Sequence, residues 1–437
     1  MPTCTSVYPL QPEDPRALVF TPEAFGASPD GTGDNTPALQ AAVDRIQSEQ
    51  THGILLVPSG IYRLGGPVDL WRGIRLIGFG AVRPVFLLAE NTPGYQHGAG
   101  RYMIFFRDRR PPAGEEPIDA QNTTFYSGIR NIDFEIREGN PAAVALRYRV
   151  AQMSSLEYVD FRIGSALGAV EAIGNQIQHC TFHGGEFAVR TGKTSPWWQA
   201  LIADCTFEGQ RRVCVDSHDA GLTMLRCGFA DAPEAVTVPE METEQLYMKD
   251  CRMERIARSG VSMSLIRHER NHVNLENIVC VDVPLFFDIQ RKRYNPHLLH
   301  DPIHAPAREY VVEEMHAGLS VYWRDGEVRG RKAEFKANVR ALPEGSAADL
   351  RFPAGPEALT DLPPMAEWVN VRDCGAEGDG KADDTEAFRT AIARGRVVYI
   401  PMGRYRLTDT LRLLSDTCLI GLHCHETMFS LSDHTHG

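Results

Sequence analysis

Apolar residues recur along this chain in a fixed local order. Ile129, Leu156, Ile177, Ile202, Met224, Met248 and Leu275 begin successive units. Three residues later stand Ile132, Val159, Cys180, Cys205, Cys227, Cys251 and Ile278, and two further on Phe134, Phe161, Phe182, Phe207, Phe229, Met253 and Cys280. The unit repeats every 21 to 27 residues. Most units carry a second apolar stretch, such as 187–189, 213–215, 235–238 and 285–289. Short strands at this period predict an all-β parallel β-helix over 125–290, with the three apolar columns inside and like residues stacked from rung to rung about 4.8 Å apart. Leucine-rich repeats share the period, but no Leu-x-x-Leu-x-Leu consensus is present.

A longer pattern occurs twice. Phe25-Gly26-Ala27 leads through Asp30-Gly31 to Asp34-Asn35-Thr36, and Cys374-Gly375-Ala376 leads through Asp379-Gly380 to Asp383-Asp384-Thr385. Each is followed by apolar residues at helical spacing, then an apolar run closed by Pro-x-Gly-x-Tyr-Arg-Leu (58–64 and 401–407) and by Leu-Ile-Gly (76–78 and 419–421). The order reads turn, helix, strand, turn, with Thr36 and Thr385 as expected helix N-caps. The predicted organisation is a tail over 1–22, a first β-helix with a helical cap over 23–290, an irregular connector over 291–366, and the cap and first strands of a second β-helix over 367–437. The second copy is expected to be incomplete, with an open end prone to association.

Composition then narrows the partners. A formal charge of −12 disfavours nucleic acid and anionic lipid, and also a strongly anionic polymer unless a local basic patch overrules it. No signal peptide and no 18-residue apolar run is present, so no membrane partner is expected. Cys180, Cys205, Cys227 and Cys251 fall on one column and read as buried thiols without metal. Free thiols lean towards a reducing compartment.

Candidate chemistry lies on outward positions. Asn131, Tyr158, His179, Asp204, Arg226, Asp250 and Asn277 form one column, either a cross-strand charge ladder or a groove wall in which Asp204 and Asp250 serve acid/base work or cation binding and Arg226 meets a substrate charge. Trp197 and Trp198 offer a flat platform to a sugar ring, with Lys193, Gln199, Glu186 and Arg190 around the same turn. Gln152, just before a rung, can position water or hydroxyls.

The Gly-Ala-x-x-Asp-Gly entrance with its Pro-x-Gly-x-Tyr closer resembles the pectate-lyase-3 type of right-handed, pectin-lyase-like β-helix. Two such entrances, with Val150-Ala151-Gln152 leading into Ser155-Leu156, resemble glycoside hydrolase family 55, the twin β-helix exo-β-1,3-glucanases. That resemblance implies inverting hydrolysis in a cleft between two helices, with the general acid on the second helix beyond this chain. Gln152 carries over as a water or substrate contact. Tyr148-Arg149 stand where the family has an aromatic residue and glutamine, and Arg149 favours an acidic sugar. The resemblance also implies secretion. Three readings follow: a β-glucan hydrolase without cofactor, partnered by its second half; a Ca²⁺-dependent β-eliminating lyase of a uronate polymer; and a non-catalytic carbohydrate-binding β-helix.

Overall fold

A computed structural model describes residues 5–193, 199–240, 242–263, 271–289, 302–324, 327–350 and 362–431, with side chains left aside at 319–334. Three strands make each turn of a parallel solenoid. The first face runs through Gly53–Pro58, Ile74–Phe79, Gly128–Arg130, Ser155–Glu157, Gln176–Gln178, Ala200–Ala203, Leu222–Leu225, Gln245–Lys249 and His272–Val281. Its register aligns Ile129, Leu156, Ile177, Ile202, Met224, Met248 and Leu275, all inward and at most 1% exposed. On the second face Phe134, Phe161, Phe182, Phe207 and Phe229 stack ring on ring, with centroids 4.9–5.4 Å apart. Constant spacing therefore becomes a continuous apolar interior, each buried aromatic contributing about 1.5–3 kcal/mol of transfer free energy. The thiols of Cys180, Cys205, Cys227 and Cys251 lie between these columns, buried, each donating to backbone carbonyls.

The first copy's helix, Thr36–Glu49, packs Leu39, Ala42, Val43 and Ile46 onto the first rungs. Thr36 is its first helical residue and not its cap: its hydroxyl donates to Asp34 and accepts from the Gly65 and Gly66 amides, tying helix start to strand end. The second copy repeats this with helix Thr385–Arg394 and two three-stranded parallel sheets.

Two expectations are corrected. Residues 5–20 are no free tail. Tyr8 is fully buried against Trp368, and Asp14 accepts the Met402 amide, because this segment runs between the two copies. Nor is 291–366 an irregular connector throughout: Glu309–Arg324 and Glu327–Ala341 form a long antiparallel ribbon whose first strand pairs with His272–Val281. The first strand's Tyr310, Val312, Met315 and Ala317 are buried against the solenoid's last rung, and Glu313 and Glu314 interrupt their alternation.

The copies meet outer face to outer face. Ile54, Leu56 and Ile77 of the first and Val397, Tyr399 and Ile420 of the second are the same repeat positions, and they share one buried cluster with Tyr8 and Leu422.

Candidate functional site

The third face of the solenoid carries the densest chemistry. Register aligns Arg147 of Ala143–Arg147, Glu171 of Gly168–Ile173, Arg190 of Phe187–Thr191 and Asp216 of Val213–Asp216 on successive rungs, all pointing outward. Each follows an inward valine or leucine, so strand alternation alone dictates the direction. Arg190 bridges its neighbours, 3.4 Å from Glu171 and 3.2 Å from Asp216. The Tyr102 hydroxyl donates to Glu171 at 2.7 Å, and burial, then this bond, pushes the phenol up to about 12. Arg147 and Arg190 lie over the rings of Phe105 and Phe187.

Beyond the ladder, His218 sits 3.2 Å from Asp216 and 3.7 Å from Glu242. The Asp216 carboxylate beside it raises its pKa against the opposing effect of burial. Burial alone would raise Asp216, but the adjacent His218 ring and the Arg212 hydrogen bond hold it well below the usual carboxylate range. The loop bearing His218 is fixed by Glu244, a buried carboxylate that accepts from the Ser217 hydroxyl and the Ala220, Gly221 and Leu222 amides. Three flanking cations reach further into solvent than their partners: Lys193 (60% exposed), Arg149 (42%) and Arg212 (38%) stand above Asp219 (15%), Asp119 (31%) and Asp216 (6%), to which they pair.

The sequence candidates thus fall into separate places. Arg149 and Lys193 join this face. Trp197 and Trp198 lie outside the described residues. Gln199 lines an open groove of about 410 Å³ with Gln245, Tyr247, His272 and Asn274, on the first face. Asp204, Arg226 and Asp250 occupy the turn between first and second faces, where all seven residues of that column have φ between 50° and 58°. There Arg226 grips Asp204 through two bonds of 2.6 and 2.8 Å, and Asp250 accepts from Asn277. Gln152 stands at the seam between the copies. Its side-chain oxygen is buried without a partner, and the neighbouring Met153 carbonyl accepts from Arg75 and from Cys424 of the second copy.

That seam holds a further group. His423 is buried, and burial followed by the nearby Arg75 charge lowers it to about 3. The His52 ring beside it, the His425 ring and the Arg16 hydrogen bond take Glu426 down to about 2 against burial. The sequence reading missed Glu171, Asp216, His218 and this seam. Half of the ladder was within reach: Arg190 and Asp216 stand just after the recognised apolar stretches 187–189 and 213–215, whereas the stretches before Arg147 and Glu171 went unrecognised. The seam was not, since its residues lie far apart in the chain.

Relatives fit the solenoid. A non-secreted LysM effector, LysM19, of Penicillium expansum is 24% identical over 434 residues, covering 91% of this chain and 32% of that protein. A pre-neck appendage protein of Bacillus phage B103 is 47% identical over 78 residues (18% and 8%), and alginate lyase 7 of Azotobacter vinelandii 40% over 76 residues (15% and 9%). The chain therefore spans about a third of the first relative's length and under a tenth of the others'. The model of one family matches residues 23–261 and 368–432, both repeat copies and most of the rungs between. On that match the chain belongs to the rhamnogalacturonase A/epimerase, pectate lyase-like family.

Proposed function

We propose that the chain binds and processes an anionic polysaccharide along its third face. The observation that carries this reading is the Arg147–Glu171–Arg190–Asp216 ladder, whose flanking cations Arg149, Arg212 and Lys193 stand proud of their carboxylates. Such a wall complements the carboxylates of a uronate chain, each rung about 4.8 Å from the next along the polymer. The names of the family and of the alginate lyase relative, both pointing to uronate-containing polymers, support it. His218, whose pKa the Asp216 carboxylate raises, is a proton donor, and the half-exposed Glu242 beside it a proton acceptor.

The test is binding and product analysis with polygalacturonate, alginate and a laminarin-type glucan. We expect salt-sensitive binding to a uronate polymer, weakened roughly ten-fold in Arg149→Ala/Arg212→Ala, at about 1.4 kcal/mol per ten-fold. New reducing ends mark hydrolysis, and unsaturated ends mark elimination. Absent uronate binding, or binding unchanged in the double variant, sinks the reading.

The partnerless Gln152 oxygen favours a second reading, β-glucan hydrolysis at the seam with further groups supplied by the second copy's side. Laminarin cleavage lost in Gln152→Ala would select it. Calcium-dependent elimination through Asp204 and Asp250 would require an ion to displace Arg226 from Asp204, and inhibition by chelator is its mark.

A further inference from the structure

Three side chains from the two copies converge at the seam. His52 follows the first copy's helix, and His425 and Glu426 follow the second copy's Leu-Ile-Gly. His425 Nδ1 is 2.9 Å from Glu426 Oε1 and His52 Nδ1 is 3.5 Å from the same oxygen. One ligand atom from each of the three lies within 4.8 Å of the others. We propose that His52, His425 and Glu426 form a divalent transition-metal site, of the zinc class, that fastens the second copy onto the first.

The geometry suits such an ion. Bonds of about 2.0–2.2 Å at tetrahedral angles place donor atoms roughly 3.3–3.5 Å apart. Two imidazoles and a carboxylate are a set that zinc, cobalt and nickel accept, with one position left for water. The surroundings hold each ligand in place. Gly73, at φ +71°, has no Cβ, and one built there would stand 2.0 Å from His52 Cδ2, so only glycine lets this ring take its position. His423 Nε2 is 2.8 Å from the Gly73 carbonyl, and its Nδ1 accepts from the His425 and Glu426 amides. Both ligand-bearing segments are thus referenced to one glycine. Arg16 donates to Glu426 Oε2 at 2.7 Å and leaves Oε1 turned to the histidines, an outer contact of the kind that orients metal-bound carboxylates. Tyr126 packs 4.7 Å from the His425 ring. Without an ion, two imidazole nitrogens share one carboxylate oxygen. With one, the nitrogens release any proton they hold and give their lone pairs to the metal.

The test uses the tag-free full chain, stripped with a chelator and titrated with Co²⁺, then Zn²⁺. Expected are one equivalent of Co²⁺ with visible d–d bands, its displacement by Zn²⁺, and a higher thermal midpoint in Zn²⁺. His52→Ala and Glu426→Gln should each weaken binding at least ten-fold and abolish the midpoint shift. Glu426→Gln keeps the side chain's shape, so it decides the matter should His52→Ala not fold. No stoichiometric binding at micromolar metal, or equal binding in wild type and Glu426→Gln, overturns the site. Binding that leaves the wild-type midpoint unmoved overturns its fastening role.

Discussion

The two copies of the entrance unit are near-identical in local design and differ in burial on the side where a next rung would lie. Tyr62 and Tyr405 donate to the carbonyls of Pro58 and Pro401 at 3.0 and 2.9 Å, and Thr36 and Thr385 tie helix start to strand end in the same way. Yet Leu76, Phe86 and Leu88 are fully buried, while their counterparts Leu419, Phe429 and Leu431 are 38%, 41% and 71% exposed. In the first copy the next rung covers these residues, with Ile129 beside Leu76 and Phe134 beside Phe86. Among the described residues none does so for the second. One sequence pattern thus specifies a rung, and the neighbouring rung decides what that pattern is worth.

Thiol chemistry should show the largest contrast. Cys424 of the second copy is exposed, whereas Cys180, Cys205, Cys227 and Cys251 are buried. Labelling of the native protein should modify Cys424 at least about 10³-fold faster, the rung cysteines reacting only through unfolding. Mass spectrometry of the labelled peptides reads this directly, and early modification of Cys205 would show that the solenoid breathes. Next in size, Phe86→Ala should cost about 3–5 kcal/mol in denaturant unfolding, and Phe429→Ala about 1 kcal/mol. Equal costs would mean that something covers the second copy's end.

A reciprocal swap sharpens the local comparison. The Asn35 side chain accepts from the Ser28 amide as Asp384 accepts from the Glu377 amide, but Asn35 also donates to the Ser28 and Gly33 carbonyls, whereas Asp384 takes a second amide, that of Gly378. Asn35→Asp sets a carboxylate against two carbonyls and should cost about 1–3 kcal/mol, and Asp384→Asn less than about 1. A comparable loss in both would equate the two loops.

The charged face of the rungs after the first copy should answer to pH. His218 has a raised pKa, so its pairing with Asp216 stabilises fully below the unfolded value of 6.5 and fades as pH climbs through the folded value. His218→Gln should therefore cost a few tenths to about 1 kcal/mol at pH 6 and less at pH 9. A penalty that does not vary with pH would contradict the ion pair. Smallest of all should be the difference between Tyr62→Phe and Tyr405→Phe. Each loses one similar hydrogen bond worth about 1 kcal/mol, and equal melting shifts would confirm that this contact is set within the copy.

Much of this molecule follows from local pattern. The three-plus-two spacing of Ile177, Cys180 and Phe182 and its repeats determined the inward columns, because a strand has only two sides and parallel rungs stack like on like. The duplication of Asp34-Asn35-Thr36 and Pro58-x-Gly60 determined a second helix-and-strand unit, because turn and closer are local chemistry. Tertiary structure alone decided the rest. The fully apolar run Ile54 to Val57 announces burial on both sides but not the partner, and only packing shows that Ile54 and Leu56 meet the second copy. Tyr8 reads as part of a polar tail until Trp368 lies beside it. His52 and Glu426 have no common motif. They meet because two sheets dock face to face, and no periodicity along one chain encodes which outer faces come together.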